Sequence, residues 1–319
     1  MVNIMDRSCT EMTKFGTPDY RGDQEITEIR STMAEKFCIQ DGPPSAETLE
    51  IAKNELRETP EVVEEALLKL RELLKGEPSL QFRDDDEVLK IFLRPCKFYP
   101  ESALQLMKKV SDFKVKHAAV IGSVLPDDEK SAMVDHNVVN VLVDRDQNGR
   151  RVLIANLGSL WDTRAINGDQ IFKLFYMVHV LAMQEPETLI RGVVVILDFS
   201  NMGLKQVAQL TPSFSFRLLS FIQEAMPLRL KQVHIVKQPF IFNAVWKVFQ
   251  PFVKEKLKTR LYFHGSKMST LHELMSPEYL PENYGGKLPK IDYTSKDWYP
   301  AIKGTEEKIK EWNSWGWKQ

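Results

Sequence analysis

The stretch that decides the fold is PLRLKQVHIVKQPFIFNAVWKVFQPFVKEKLKTR, which runs from Pro227 to Arg260. It carries eight basic residues and one acid, Glu255, although the whole chain has a formal net charge of only -1. The basic residues are Arg229, Lys231, Lys237, Lys247, Lys254, Lys256, Lys258 and Arg260. Positive charge is therefore concentrated here and is not a general property of the protein.

The same stretch has the apolar periodicity of an amphipathic helix. Large apolar side chains recur at intervals of three and four residues from Phe240 to Val253. Pro239 suits the first turn of this helix, and Pro251 is expected to bend or break it near its end. Ahead of the helix, Val233–Val236 is a short apolar run typical of a buried strand. The pattern alone favours a core helix, but an apolar helix beside basic residues also fits a protein that meets an anionic membrane.

The first half of the chain has a helical pattern from Glu47 to about His117. Thr59, Pro60 and Glu61 form a good helix start, because a hydroxyl cap, a proline and an acid follow one another. Asp84–Asp86 provides a second acidic start, and a further helix is expected from Tyr99 onward. These segments predict a small helical bundle.

The second half alternates strands and helices. Val138–Asp146 and Arg151–Gly158 are predicted strands around a QNGR turn, and Val193–Phe199 is an uninterrupted apolar run that predicts a central buried strand. Apolar helices are expected at Asp169–Glu185 and Ser213–Ala225. This alternation predicts an α/β sandwich with a largely parallel sheet.

The composition excludes several classes of protein. The near-zero net charge of this 319-residue chain gives no support for nucleic-acid binding, and no run is long and apolar enough to span a bilayer. The N-terminus shows no apolar secretory segment, and residues before 46 predict a flexible arm with a short helix near Glu25–Phe37. Cys9, Cys38 and Cys96 are widely spaced, which favours reduced thiols in a cytoplasmic protein. We expect a monomer in solution.

The sequence contains no recognisable catalytic signature. Walker A, Rossmann, GxSxG and HExxH motifs are absent, and the six histidines show no metal-ligand spacing. Asp198, at the end of the apolar strand, is the strongest candidate for a catalytic acid. A strand-terminal aspartate can be catalytic or can cap the following turn. A capping role is favoured, so we expect no enzyme activity, no cofactor and no metal site.

The segment VHIVKQPFIFNAVWKVFQPFVKEKLKTRLYFHG, with LPENYGG at Leu280–Gly286, resembles the CRAL-TRIO lipid-transfer family. It is most similar to the α-tocopherol transfer protein and retinaldehyde-binding branch, and the resemblance covers about residues 50 to 290. It implies an α/β fold in which a small helical bundle precedes a sandwich with a mostly parallel sheet, an apolar lipid pocket and a helical lid. The resemblance implies a helical domain at 46–120 and the lipid-binding domain at 121–290. The residue pattern itself predicts the arm at 1–45, and four tryptophans in the last 25 residues predict a tail at 291–319 that packs on the domain.

Residues of the implied lipid pocket follow from the resemblance and from helical spacing. Five of them share one face of the Asp169–Glu185 helix: Phe172, Phe175, Tyr176, His179 and Met183. Leu218, Phe221, Met226, Leu228 and Leu230 are further pocket residues. The lid, Pro239–Lys258, is expected to contribute Phe242, Val245, Trp246, Phe249 and Val253. His179 and Phe175 stand where tocopherol-binding relatives carry serines, so the polar contact with the ligand differs here. Ordinary core packing is the alternative for every one of these side chains.

The resemblance also implies a phosphoinositide site. Its basic residues are Arg94, Lys97, Arg229, Lys231, Lys256 and Arg260. Lys97 is expected to substitute for an arginine that the relatives carry at the position of Cys96. Arginine and lysine hold phosphate through charge-assisted hydrogen bonds, although a solvated charged face would look similar.

Together these expectations describe a cytoplasmic carrier without catalytic activity that associates transiently with membranes. It would hold one tocopherol-like hydrophobic molecule under the lid and exchange it at membranes that carry phosphoinositides. One alternative is a retinoid or carotenoid binder of the same fold. Another is a signalling adaptor in which the pocket is vestigial.

Overall fold

The computed structural model describes residue 37 and residues 39–318. The predicted arm before residue 37 lies outside the described residues, and so does almost all of the short helix predicted near Glu25–Phe37. Cys9 and Cys38 lie outside them as well. Within the described residues, no helix combines the length and the apolar character needed to cross a bilayer.

The first part of the described chain is helical, as predicted. Its elements are α1 Ala46–Leu56, α2 Pro60–Lys75, the short strand β1 Leu80–Gln81, α3 Asp86–Leu93, α4 Pro100–Lys116, α5 Ala118–Ile121 and α6 Lys130–Val134, the last preceded by a 3-10 turn at Pro126–Glu129. The predicted helix starts are confirmed. The Thr59 hydroxyl accepts from the amide of Val62, and the Asp85 carboxylate accepts from the amide of Val88, so each caps its helix.

A five-stranded sheet forms the centre of the molecule, with the strand order β2-β3-β4-β5-β6. Its strands are β2 Val139–Val141, β3 Arg151–Asn156, β4 Val193–Asp198, β5 Leu230–Val236 and β6 Leu261–Gly265. Only β2 is antiparallel to its neighbour, because the QNGR turn brings it directly back onto β3. The apolar run predicted to be central is the middle strand, so the predicted α/β fold with a mostly parallel sheet is confirmed.

The connections between these strands are helical. They are α7 Gly168–Ala182, α8 Pro186–Arg191, α9 Leu204–Gln209, α10 Pro212–Ser220 with a π-helical turn at Phe221–Ala225, α11 Phe242–Phe249 and α12 Glu255–Lys258. A 3-10 turn at Gln250–Phe252 separates α11 from α12, so Pro251 breaks the lid helix as predicted. The lid is therefore two short helices, and Pro239 lies in the turn that precedes them.

The two faces of the sheet pack differently. Val152, Ile154, Val194 and Ile196 are buried on one face, which α13 Met268–His272 and the 3-10 turns Pro277–Tyr279 and Glu282–Tyr284 cover. On the other face Val195 and Leu197 are only half-buried although their strand is central. Packing on this second face is incomplete, and an apolar cavity lies there.

The C-terminal segment connects the helical part to the sheet. It forms α14 Ser295–Gly304, α15 Glu306–Ser314 and β7 Gly316–Trp317, which pairs antiparallel with β1. Trp312 is buried between Phe92 of α3 and His179 of α7, with ring centroids 6.2 Å and 5.4 Å away. The side chain of Trp298 is also fully buried and donates to the amide oxygen of Asn140 at 2.9 Å. Aromatic side chains thus hold this segment against both parts of the protein.

Candidate functional site

A small cavity of about 120 Å³ lies between the second face of the sheet, α7 and the π-helical turn. It is called the apolar cavity below. Its walls are Val141, Arg151, Leu153, Phe175, Val178, His179, Ala182, Val193, Val195, Leu197, Leu218, Phe221, Ile222, Met226, Leu228, Leu230 and Val233. Ligand pockets for lipid-sized molecules are usually about 300–1,000 Å³, so this cavity must widen before it can hold such a ligand.

Seven of the predicted pocket residues line the apolar cavity: Phe175, His179, Leu218, Phe221, Met226, Leu228 and Leu230. Phe172, Tyr176 and Met183 are buried but do not line the cavity. The ring of Phe172 packs against Phe221, and the Tyr176 hydroxyl donates to the amide oxygen of Asn313 at 3.2 Å. Contact of these three residues with a ligand stays a prediction.

The predicted lid residues do not reach the cavity wall in this conformation. Phe242 packs on Phe199 with ring centroids 4.7 Å apart, and Trp246 packs on Phe263 at 4.9 Å. Phe249 faces Phe214 of α10 at 6.3 Å. The buried side chains of Val245 and Val253 join the same apolar cluster. The lid therefore covers α10 and the edge of the sheet, and the helix below it forms the cavity wall.

A second, open cleft of about 860 Å³ lies between α4 and the strand β5. It is called the basic cleft below. Its basic side chains are Lys97, Lys109, Arg229, Lys231, Lys254, Lys256 and Arg260, and the acids Glu101 and Glu224 also line it. Five of the six predicted phosphoinositide residues are therefore brought together. Arg94 lies outside the cleft, and its guanidinium is held by the Glu58 carboxylate at 2.8 Å.

The basic side chains of the cleft differ in whether a carboxylate pairs with them. Arg229 and Lys231 share the carboxylate of Glu55, at 2.5 and 3.2 Å, and their proximity lowers the pKa of that carboxyl. Three exposed lysines of the cleft form no ion pair with any carboxylate among the described residues: Lys97, Lys109 and Lys256. Three neighbouring ammonium groups repel one another, and an anion placed between them would relieve that repulsion.

The backbone beside Cys96 is strained, and this strained turn places Lys97 in the basic cleft. Lys97 and Phe98 follow one another with φ of 53° and 56°, a left-handed conformation that costs side chains other than glycine. The turn buries Phe98 and leaves Lys97 exposed in the cleft. Burial raises the pKa of the Cys96 thiol to about 11, although Lys256 and Lys109 partly offset the effect.

Sequence reasoning missed two basic residues of the cleft, Lys109 and Lys254. A signal for Lys109 exists in the spacing of Glu101, Gln105 and Lys109, which places three polar residues on one face of α4. No comparable signal identifies Lys254, because its position depends on how the lid folds back over the π-helical turn.

The apolar cavity and the basic cleft share a wall. Ile222, Met226, Leu228 and Leu230 line both of them. Ile222 belongs to the π-helical turn and Leu230 begins β5, and the other two lie in the link between these elements. Because π-helical turns often occur at functional sites, this wall is where we expect movement.

Gln223, in the same π-helical turn, holds the end of the lid. Its side-chain amide donates to the carbonyl of Phe252 at 3.0 Å, and its amide oxygen accepts from the backbone of Lys254 at 2.7 Å. The neighbouring Glu224 carboxylate pairs with the Lys254 ammonium group. Gln223 therefore ties the 3-10 turn of the lid to the wall between cavity and cleft.

Asp198 has the surroundings of a capping residue. Its carboxylate accepts from the backbone amide of Ser200 at 2.9 Å and pairs with Lys237 at 3.1 Å. Both contacts hold the turn that follows β4, which agrees with the capping interpretation. Among the described residues, no group of three or more His, Cys, Asp and Glu side chains is arranged to hold a metal ion.

Comparison with known proteins adds independent findings. A family model described as CRAL/TRIO domain matches residues 135–286. Clavesin-1 of Rattus norvegicus is 31% identical over 272 residues, which cover 84% of this chain and 76% of that protein. Clavesin-2 of Homo sapiens is 32% identical over 251 residues, which cover 78% of this chain and 76% of that protein. These relatives are clavesins, so the tocopherol-transfer and retinaldehyde-binding branch stays a prediction.

A solved structure titled "Crystal structure of Sfh5" overlaps 56% of this chain and 64% of that chain, with a TM-score of 0.40 and 15% identity. This similarity is too low to support an inference about the site.

The buried histidines give a testable dependence of stability on pH. Burial lowers the pKa of His179 and of His234 to about 3, whereas an unfolded histidine titrates at about 6.5. Between these values the unfolded chain binds protons that the folded protein does not, so the free energy of unfolding falls as the pH falls below about 6.5. His179→Leu removes one of these proton-binding groups. The pH dependence of the free energy of unfolding should therefore become shallower by up to about 1.4 kcal/mol per pH unit.

Urea denaturation at a series of pH values between about 4 and 8 measures this slope. Tyr176→Phe, on the same helix, leaves every histidine in place and is the matched control. It should keep the wild-type slope. An unchanged slope in His179→Leu would show that His179 titrates normally in the folded protein.

Proposed function

Because the chain belongs to the CRAL/TRIO domain family, whose members bind and transfer lipids, we propose that it carries one hydrophobic, tocopherol-like molecule and exchanges it at membranes that bear phosphoinositides. The observation that carries this proposal is the wall shared by the apolar cavity and the basic cleft. An apolar ligand and an anionic headgroup would then lie within one side chain of each other. Binding of the headgroup could therefore act directly on the wall that retains the ligand.

The headgroup part of the proposal rests on the three lysines that form no ion pair among the described residues. Lys97, Lys109 and Lys256 come from three separate segments, so they converge on an anion from different directions. Arg229 is less available, because its guanidinium already donates to the carbonyl of Ile190 and pairs with Glu55. A phosphorylated inositol ring carries several phosphates, and each can accept charge-assisted hydrogen bonds from an ammonium group.

The membrane part rests on exposed apolar side chains near the lid. Phe240, in the turn just before α11, is 90% exposed, and Leu204 at the start of the neighbouring α9 is 75% exposed. Only Phe242 and Val245 of α11 are buried. Apolar side chains exposed to this degree are suited to insertion at a membrane interface.

The small volume of the apolar cavity favours one second candidate, a signalling adaptor with a vestigial pocket. Extraction of lipid from protein purified without detergent, followed by mass spectrometry, separates the two. A carrier should yield one hydrophobic molecule per chain, and an absorbance spectrum of the extract would reveal a retinoid or carotenoid. An extract without stoichiometric ligand, from protein that also fails to take up added lipid, would support the adaptor.

Charge removal in the basic cleft should weaken membrane binding. Replacing Lys97, Lys109 and Lys256 with glutamine should cost roughly 3 kcal/mol of binding to vesicles that contain phosphatidylinositol bisphosphate, at about 1 kcal/mol for each lysine. Vesicle sedimentation measures this binding. The three lysines are exposed, so folding should not change.

The matched control replaces three exposed lysines outside the cleft, Lys267, Lys290 and Lys296, and so makes the same change in net charge. It should retain most of the binding. Equal losses in the two triple variants would mean that net charge, and not the cleft, attracts the membrane.

Phe240 provides a test of the membrane-facing surface. Phe240→Ser should lower affinity for vesicles by about 1.5–3 kcal/mol, because the ring would no longer be buried in the interface. The melting temperature should stay the same, since the ring is exposed in the free protein. Leu68→Ser, on α2 and 61% exposed, is the control and should bind vesicles normally. Normal vesicle binding by Phe240→Ser would place the contact surface elsewhere.

Gln223 provides a test of the lid. Gln223→Ala removes the hydrogen bonds to Phe252 and Lys254, and should favour the open lid by about 1–3 kcal/mol in total. Ligand transfer between vesicles, followed by fluorescence of a labelled lipid, should become faster. Gln184→Ala is the matched control, because the Gln184 side chain, just after α7, donates to the carbonyl of Val180 four residues earlier and not to the lid. Transfer at the wild-type rate in Gln223→Ala would show that this hydrogen-bonded tie does not limit lid opening.

A further inference from the structure

The apolar cavity offers very few polar atoms to a ligand. Of the described residues that line it, only Arg151 and His179 have side chains that contain nitrogen or oxygen. All three nitrogens of the Arg151 guanidinium already donate hydrogen bonds, to both carboxylate oxygens of Glu185 at 3.1 and 2.5 Å and to the carbonyl of Val143 at 3.0 Å. Any polar contact between these side chains and a ligand therefore depends on the imidazole of His179.

The hydrogen bonding of His179 determines which of its nitrogens carries the proton. Nδ1 contacts the carbonyl oxygen of Tyr176, one helical turn earlier. A carbonyl oxygen only accepts, so Nδ1 must be the protonated nitrogen. Burial lowers the pKa of the ring to about 3, which leaves it neutral at physiological pH. Nε2 is then an unprotonated acceptor, and it is buried without a hydrogen-bond partner among the described residues.

We propose that His179 selects ligands that carry a hydroxyl group, which donates a hydrogen bond to Nε2. This inference rests on the proposed carrier function and names the chemical class of the ligand. An aldehyde, a ketone or an ether presents only acceptor lone pairs to Nε2 and leaves this nitrogen unsatisfied. A site that provides a buried acceptor rejects analogues that cannot donate to it.

The indole N–H of Trp312 is the protein group that competes with a ligand hydroxyl to donate to Nε2 of His179. This N–H is also buried and has no hydrogen-bond partner among the described residues. The Trp312 ring lies 5.4 Å from the His179 ring, at an angle of 76°. The indole also lies beside the hydroxyl of Tyr176, whose oxygen can accept from it. Trp312 thus has an alternative partner in the Tyr176 hydroxyl, whereas Nε2 of His179 has none within the described part of the chain.

The experiment compares two probes that differ only at the hydroxyl group, α-tocopherol and its methyl ether. Their dissociation constants are measured for the full-length wild-type protein and for His179→Leu, on folded protein. The wild type should prefer the alcohol by roughly tenfold or more, and His179→Leu should bind the two probes equally. A second pair, retinol and retinaldehyde, tests the same preference against a carbonyl acceptor.

One further measurement and one further variant complete the test. A nitrogen-15 spectrum of the imidazole should show the proton on Nδ1 and its absence from Nε2. His179→Gln restores an acceptor if the leucine variant fails to fold, and it should recover part of the preference for the alcohol.

The outcomes separate this inference from the proposed function. Equal binding of alcohol and ether by the wild type would overturn the hydroxyl preference and leave the carrier function standing. A stoichiometric extracted lipid without a hydroxyl group would have the same meaning. Failure of every probe to bind, with no lipid in the extract, would overturn the carrier function itself. Reduced thermal stability in His179→Leu with an unchanged preference would assign His179 to the Trp312 contact and overturn its role in selection.

Discussion

The structure depends on one thin boundary between apolar and charged surroundings. Ile222, Met226, Leu228 and Leu230 have the apolar cavity on one side and the basic cleft on the other. Moving an ion across such a boundary is costly, so the charged groups of the cleft stay on its solvent side. The π-helical turn that builds this wall also holds the lid through Gln223. The wall between cavity and cleft and the hydrogen bonds that hold the lid therefore meet in one segment.

The lid follows from the same constraint. Pro251 divides it into two short helices, and neither is long enough to be stable without tertiary packing. Its closed state is held by a few aromatic pairs and by the hydrogen bonds of Gln223, while Phe240 stays in water. A membrane interface can bury Phe240 and neutralise the lysines, which offsets the free energy needed to separate the lid from α10. The balance between these two states is what the membrane would change.

The fold and much of the site could be predicted from the sequence. The uninterrupted apolar run at Val193–Phe199 required a central strand, and Thr59-Pro60-Glu61 required a helix start, because these signals are local. The family resemblance identified the basic residues that converge at the cleft. It also singled out His179, which is one of two polar side chains that line the apolar cavity, although Tyr176 on the same helical face is turned toward the C-terminal segment.

Other features were decided only by the tertiary structure. No periodicity shows that the lid residues rest on α10 and the edge of the sheet, since an amphipathic pattern states that a face is buried but not against what. The contacts of Lys254 and Gln223 join segments far apart in the chain, and the Nδ1 proton of His179 depends on a backbone carbonyl that the sequence does not distinguish from any other. The sequence by itself determined which residues are apolar, charged or able to cap a helix. Only the folded chain decided which of them share a cavity, because that depends on distances between elements rather than on order along the chain.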